Sequence, residues 1–176
     1  MSKRAGLAAL AIAACAVVTG CAATNGPLEG PRAEPGSVEI CSPAGRDRDV
    51  YFGEIFTNVG NDPVEIRSVE GSGSHLTGME FTLDLEGPAL GQTVGTIGWP
   101  TDEPWGYEQD LLDRMVSPEG AVIAPGESAT LLVRIEPASA TDPAVLAPTT
   151  VNYVSRGRTY REINHVTYRL APGEAC

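Results

Sequence analysis

Two stretches of the chain alternate apolar and polar residues with a period of two. In Met79–Leu85 every second residue from Met79 is apolar, and in Ser128–Glu136 every second residue from Ala129 is apolar. This is the period of a β-strand with one face in the core and the other in solvent. Each stretch therefore predicts a half-buried strand, and no long stretch of helical period competes with them.

The other strand signals are separated by turn residues. Asp49–Asn58 (DVYFGEIFTN) has aromatic and β-branched residues at both parities, which is typical of a strand covered on both faces or of one with a bulge at Gly53. The turn residues of Gly60–Pro63 predict a hairpin between this strand and one at Val64–Val69. Further predicted segments are the strands Val38–Cys41, Gln92–Ile97, Ala121–Ile123, Thr150–Val154 and Thr159–Leu170 and a connection at Pro137–Pro148. We predict an all-β fold: a single antiparallel β-sandwich of about seven or eight strands.

Residues 99–116 interrupt this pattern and are predicted to be an insertion, not a second domain. Its apolar residues fit one face of a short helix: Trp105, Leu111, Leu112 and Met115.

The aromatic residues of the insertion, Trp99, Trp105 and Tyr107, form a candidate binding loop. Aromatic side chains held by prolines offer rigid contact area at low entropic cost. The alternative is that the tryptophans fold back and close one end of the sandwich.

Two segments resemble a known class of immunoglobulin-like modules. FTNVGNDPVEIRSVE, which begins at Phe56, and IAPGESATLLVRIEP, which begins at Ile123, resemble domains of the ASPM/SPD-2/Hydin type. In those domains a strand that ends in Asn-x-Gly precedes a Pro-Val strand, and a Pro-Gly-Glu turn begins another strand. The resemblance implies an immunoglobulin-like sandwich with a binding or structural role.

The first 21 residues read as an export signal. Lys3 and Arg4 precede an apolar stretch, 6–20, that is shorter than the roughly 20 residues of a membrane span. Val18-Thr19-Gly20-Cys21 resembles the lipobox of bacterial lipoproteins, which implies cleavage before Cys21, lipidation of its sulfur and attachment to the extracytoplasmic side of a cell-envelope membrane. The alternatives are an ordinary secretion signal, cut after Gly20 or Ala23, and a spanning anchor.

The segment after the signal is rich in proline and glycine. Ala22–Ser37 has almost no large apolar side chains, so it is predicted not to fold. The predicted organisation is a signal peptide at 1–20, a flexible tether at 21–37 and the sandwich at 38–176.

The cysteines follow from this organisation. Cys15 leaves with the signal and Cys21 carries lipid, so Cys41 and Cys176 remain as an even pair in an oxidising compartment. We predict a disulfide between them. A metal-thiolate site or a reactive thiol is the alternative, although no CxxC is present.

Charge and motifs limit the function. The chain has a net charge of −11, and Lys3 and Arg4 leave with the signal, which argues against nucleic acid and against an anionic lipid surface as partners. The sequence contains no GxSxG, HExxH, GxxxxGK[ST] or DxDxDG motif. We therefore expect a protein that is not an enzyme and needs no cofactor, with a hydrolase as a less favoured alternative.

A copper-type site is the sharpest alternative function. His75 and Met79 are four residues apart, and Met115 and His165 lie elsewhere in the chain. Thioether and imidazole ligands suit Cu(I). Met79 also fits the core face of its strand, which would take it away from any metal.

The predicted function is an interaction or structural module on the cell envelope. We expect a monomer held by its lipid, with an envelope protein or glycan as partner. Arg156, Arg158 and Arg161 give the last hairpin a positive spot, which suits either an acidic partner or protection against edge pairing.

Overall fold

A computed structural model of the chain describes residues 26–31, 34–44, 49–86, 95–99, 111–173 and 176. These residues form eleven strands and one short helix. In chain order they are β1 (Leu28–Glu29), β2 (Glu39–Pro43), β3 (Asp49–Asn58), β4 (Val64–Ser74), β5 (Leu76–Asp84), β6 (Thr96–Trp99), α1 (Leu111–Arg114), β7 (Val122–Ile123), β8 (Ser128–Pro137), β9 (Ala144–Ser155), β10 (Arg158–Asn164) and β11 (Thr167–Ala171).

The strands form two sheets that pack face to face. Sheet 1 has the order β1-β3-β8-β5, with β6 paired to β3, and sheet 2 has the order β2-β11-β9-β4-β7, with β10 paired to β9. The pairs are antiparallel except for β2 with β11, which is parallel. The predicted all-β, immunoglobulin-like sandwich is confirmed, although the described residues form eleven strands where seven or eight were predicted.

The predicted β3–β4 hairpin is wrong. β3 belongs to sheet 1 and pairs with β8, whereas β4 belongs to sheet 2 and pairs with β9. The turn residues after Asn58 therefore carry the chain from one sheet to the other. The same turn residues suit a hairpin within one sheet and a connection between two sheets. Only the pairing with the distant strands β8 and β9 decides between them.

Both faces of β3 are covered, as one of the two interpretations of its sequence required. Phe52 and Phe56 face the core between the sheets, and Tyr51 and Ile55 pack on a second apolar cluster outside sheet 1. The pairing of β3 with β8 runs through Gly53 without a shift in register, so the predicted bulge is absent from this pair. The second cluster consists of Ile97, Leu111 and Leu132, with Met115 packed against it.

The tether prediction is wrong for the residues around β1. Leu28 pairs with Asn58 and is only 1% exposed in the core. The folded part of the chain therefore begins before residue 38. A single leucine among prolines and glycines gives no periodic signal, so its burial was not apparent from the sequence.

Three further expectations need correction. Phe81 and Leu83 face the core, and Met79 lies on the same side of β5. Met79 is nevertheless 36% exposed and Leu85 is also exposed, because Met79 lies near one end of the β5–β8 ladder and Leu85 lies beyond the other. The predicted connection at Pro137–Pro148 already contains the first five residues of β9. The predicted last strand is divided at His165 into β10 and β11.

The predicted disulfide is present. It joins Cys41 in β2 to Cys176, across a sequence separation of 135. The last residue described is therefore tied to sheet 2. Within the described ranges, no helix has both the length and the apolar character that a membrane span requires.

Candidate functional site

One end of the sandwich is built from connections that are bonded to one another. We call it the loop end and define it as residues 26–27, 59–63, 124–127 and 155–158. Its centre is Asn58, the last residue of β3, which is fully buried. The Asn58 side-chain NH2 donates to the carbonyl oxygens of Asp62 and Ile123, at 2.8 and 3.0 Å. Its side-chain oxygen accepts from the N–H of Gly60 at 3.0 Å.

The backbone of Asn58 holds the turn before β8. Its N–H donates to the carbonyl of Glu127 at 2.9 Å, and its carbonyl accepts from Gly126 at 2.8 Å. Gly126 has a φ of 78°, which favours glycine at this turn. The Asn-x-Gly and Pro-Gly-Glu motifs of the sequence therefore meet here, although they lie far apart along the chain.

The β9–β10 turn is tied to the same end by an ion pair between Arg156 and Asp62. Arg158 follows it and is exposed. Of the predicted positive spot, Arg156 and Arg158 thus lie at the loop end, whereas Arg161 lies mid-strand on β10, paired with Asn152.

The N-terminal segment enters the fold at the loop end. The carbonyl of Pro27 accepts from the N–H of Val59 at 2.9 Å, and the N–H of Leu28 donates to the Tyr153 hydroxyl at 3.3 Å. A Cβ at Gly26 would clash with that hydroxyl, so this close approach requires glycine. Burial raises the pKa of Tyr153 to about 12, and the bond from Leu28 offsets this rise only in part.

A buried polar cluster lies between the sheets and is centred on Glu54, four residues before Asn58 on β3. Glu54 is 1% exposed, on the same face of the strand as Phe52 and Phe56. Neither carboxyl oxygen makes a hydrogen bond with any residue that the structure describes. Tyr168 and Asn164, which are bonded to each other at 3.1 Å, lie near enough to act on its charge.

Burial raises the pKa of the Glu54 carboxyl, and the dipoles of Tyr168, Asn164 and Thr149 offset this only in part. Burial and the nearby Glu54 carboxyl also raise the pKa of Tyr168. The neutral acid is thus favoured in the core. The cluster can hold a proton, but each of its members is at most 1% exposed.

The predicted binding loop and lipid site lie largely outside the residues that the structure describes. The backbone of Trp99 ends β6, opposite Asp49 at the edge of sheet 1. The Trp99 side chain, Trp105, Tyr107 and Cys21 lie outside the described residues.

The four candidate metal ligands are not brought together. His75 is exposed at the corner between β4 and β5, and His165 lies between β10 and β11. Met79 lies on the core side of β5, beside Gly71 of sheet 2, whereas the Met115 sulfur accepts from Thr82 on the opposite face. In the part of the chain that the structure describes, no three His, Cys, Asp or Glu side chains form a group that could hold a metal ion.

Sequence reasoning missed the three residues on which these sites depend. Leu28 was the single large apolar residue of the predicted tether, and Glu54 was the single acid of β3 after its first residue. Asn58 was noticed only as part of a motif. Each is a residue that departs from its surroundings, and that departure is the signal by which it could have been found.

No protein-family model and no curated protein sequence matches the chain. Among solved structures, the chain is similar to the VesB protease of Vibrio cholerae, with a TM-score of 0.42 and 10% identity over 82% of this chain, which spans only 32% of that one. It is also similar to an ASH/PapD-like domain of human CEP192, with a TM-score of 0.42 and 9% identity over 98% of this chain and all of that one. The GAE domain of GGA2p from Saccharomyces cerevisiae has a TM-score of 0.26 and 14% identity, over 82% of this chain and 87% of that one. The strand order and pairing described above make the chain an immunoglobulin-like β-sandwich.

Proposed function

We propose that the chain is a cell-envelope lipoprotein that presents its sandwich as a non-enzymatic binding or structural module. The observation that carries the proposal is the burial of Leu28, seven residues after Cys21. A folded domain thus begins almost directly after the lipobox-like sequence. An acylated Cys21 would then fix this domain to the membrane surface, where two or more acyl chains give stable attachment.

The loop that begins at Trp99 is the proposed contact surface for an envelope protein or glycan. It leaves β6 at the edge of sheet 1 and returns at α1, whose Leu111 is buried against the second cluster. Both ends of the loop are therefore fixed to the sheet, which lowers the entropic cost of presenting aromatic side chains. The resemblance to ASPM/SPD-2/Hydin-type domains supports a binding or structural role.

The lipid anchor is tested by replacing Cys21 with serine. We expect Cys21→Ser to abolish incorporation of an alkyne-labelled fatty acid and to move the protein from the detergent phase to the aqueous phase. Cys15→Ser is the matched control, because this cysteine lies six residues earlier in the apolar stretch and should leave both readouts unchanged. Labelling that survives Cys21→Ser would overturn the anchor.

The module itself is tested on the soluble Cys21→Ser form. Native mass spectrometry should give a monomer without metal, lighter than the reduced chain by two hydrogens. In intact cells, Trp99→Ala combined with Trp105→Ala should remove crosslinks to the partner and leave the circular-dichroism spectrum unchanged. A bound copper ion that His75→Ala or Met79→Ala removes would instead establish metal handling.

A further inference from the structure

We propose that the loop end faces and touches the phospholipid bilayer that holds the lipid anchor. This inference rests on the proposed lipidation of Cys21. It adds an orientation of the sandwich and a second surface, distinct from the Trp99 loop, whose ligand is the lipid headgroup layer.

Only a short length of chain separates the proposed anchor from the fold. Gly26 is five residues beyond Cys21. A fully extended chain spans at most about 3.6 Å per residue, so Gly26 lies within about 18 Å of the lipidated residue. The tether predicted from the sequence was about three times longer, because it extended through residue 37.

The chain enters the fold at the loop end. Pro27 is bonded to Val59, and Gly26 lies against Tyr153, both at the loop end. β3 has ten residues, so the sandwich is about 33 Å long from the loop end to the opposite end. Turning the opposite end toward the bilayer would carry Gly26 about 33 Å from the surface, which exceeds the reach of the tether.

The two ends of the sandwich differ in charge. Its connections carry Asp62, Glu127, Arg156 and Arg158, two charges of each sign, in a chain with a net charge of −11. Among the described residues, the opposite end is more acidic: Asp49, Glu80 and Glu136 surround Arg134, and Asp142 follows in the β8–β9 connection. Of the two ends, the loop end is therefore repelled less by anionic headgroups.

Two exposed side chains of the loop end suit an interfacial contact. Val59 is 55% exposed, directly beside the entering Pro27. Arg158 is exposed at the β9–β10 turn, and an arginine can lay its aliphatic stem on an apolar layer while its guanidinium binds phosphate. The bonds of Asn58 hold the neighbouring connections in place, so little order is lost on contact.

The experiment uses the lipidated full chain in nanodiscs of phosphatidylethanolamine and phosphatidylglycerol that contain a gadolinium-chelating lipid. Amide NMR signals of residues 59–62 and 155–158 should be broadened at least threefold more than those of residues 138–142. Cys21→Ser protein added to the same nanodiscs is the control and should show no such gradient. Equal broadening at both ends, or stronger broadening at 138–142, would overturn the proposed orientation.

A double variant separates contact from the effect of a short tether. With the anchor intact, Val59→Asp combined with Arg158→Glu should reduce the broadening at 59–62 at least twofold. The matched control, Val122→Asp combined with Arg161→Glu, makes the same charge change at exposed positions outside the loop end and should not reduce it. Unchanged broadening in the Val59 and Arg158 variant would overturn the contact.

The mass of the purified protein distinguishes the two proposals. If Cys21 carries no acyl group, the anchor proposal is overturned and the orientation proposal with it. If the acyl groups are present and the gradient is absent, the orientation proposal alone is overturned.

Discussion

β3 buries one polar side chain at its middle and another at its end, and the two differ in their hydrogen bonding. Glu54 and Asn58 lie on the same face of one strand, four residues apart, and each is at most 1% exposed. Every polar atom of the Asn58 side chain is bonded to backbone, whereas both oxygens of Glu54 lack a bond to the described residues. Burial alone therefore does not tell whether a polar side chain stabilises this fold; its partners do.

The largest expected effect is that of removing the Asn58 side chain. Asn58→Ala deletes three hydrogen bonds and leaves the carbonyl of Ile123 without this donor. We expect the free energy of unfolding to fall by about 2–4 kcal/mol at any pH. Chemical denaturation measures this. Asn61→Ala, at an exposed position of the same loop, should cost less than about 0.5 kcal/mol, and equal losses would contradict the role given to Asn58.

Glu54→Gln sharpens the comparison because its effect depends on pH. The pKa of Glu54 is raised in the fold above its ordinary value of 4.5, so between these two pKa values the native state binds more protons than the unfolded state. The stability of the parent protein should therefore be fullest below about pH 4.5. Between the two pKa values it should decrease by about 1.4 kcal/mol for each pH step of one.

Unfolding curves from pH 4 to pH 8 test this slope. Glu54→Gln should remove the decrease, so that its stability relative to the parent improves with pH. Exposed Glu119→Gln makes the same charge change and should keep the parental slope. A slope that is unchanged in Glu54→Gln would show that Glu54 is not the group responsible.

Tyr168→Phe removes one bonded partner from the cluster. The ring contact with Phe52, at 5.1 Å between centroids, is kept, but the Asn164 amide loses its acceptor. We expect a loss of about 1–2 kcal/mol, measured by thermal unfolding. Tyr160→Phe keeps its ring stacked on Tyr153 and should change stability by less than about 0.5 kcal/mol; a larger loss there than at Tyr168 would refute the prediction.

The smallest effect is expected at Thr149, whose hydroxyl is buried without a bonded partner among the described residues. Thr149→Val replaces it with a methyl group of the same shape. At pH 4, where Glu54 is neutral and the Thr149 dipole has no charge to act on, stability should stay within about 0.5 kcal/mol of the parent or rise. In contrast, Thr57→Val removes a 2.8 Å bond to Ser128 and should cost about 0.5–1 kcal/mol. A clear loss at Thr149 would mean that its hydroxyl has a partner in solution.

Much of the local structure followed from periodicity and turn chemistry. The alternation in β8 correctly placed Ala129, Leu131, Val133 and Ile135 in the core. These predictions succeeded because the side chains of a strand point alternately to its two faces. The buried Leu132 was not expected, since its cover is the second cluster outside sheet 1.

The candidate sites were less accessible to sequence reasoning. The Asn-x-Gly motif marked Asn58, but nothing local showed that Glu127 and Ile123 would be its partners. Spacing along the chain likewise did not show that Met79 and Met115 lie on opposite faces of one sheet, which separates two of the four candidate metal ligands.

By itself, the sequence determined which side chains are apolar on each strand, where the chain turns and which cysteines were available for a disulfide. Only the tertiary structure decided that β3 pairs with β8 and not with β4, that Leu28 fills the core and that Glu54 meets Tyr168. The physical reason is that the first group depends on neighbours within a few residues, whereas the second depends on contacts between residues far apart in the chain, which are fixed only when the whole core packs.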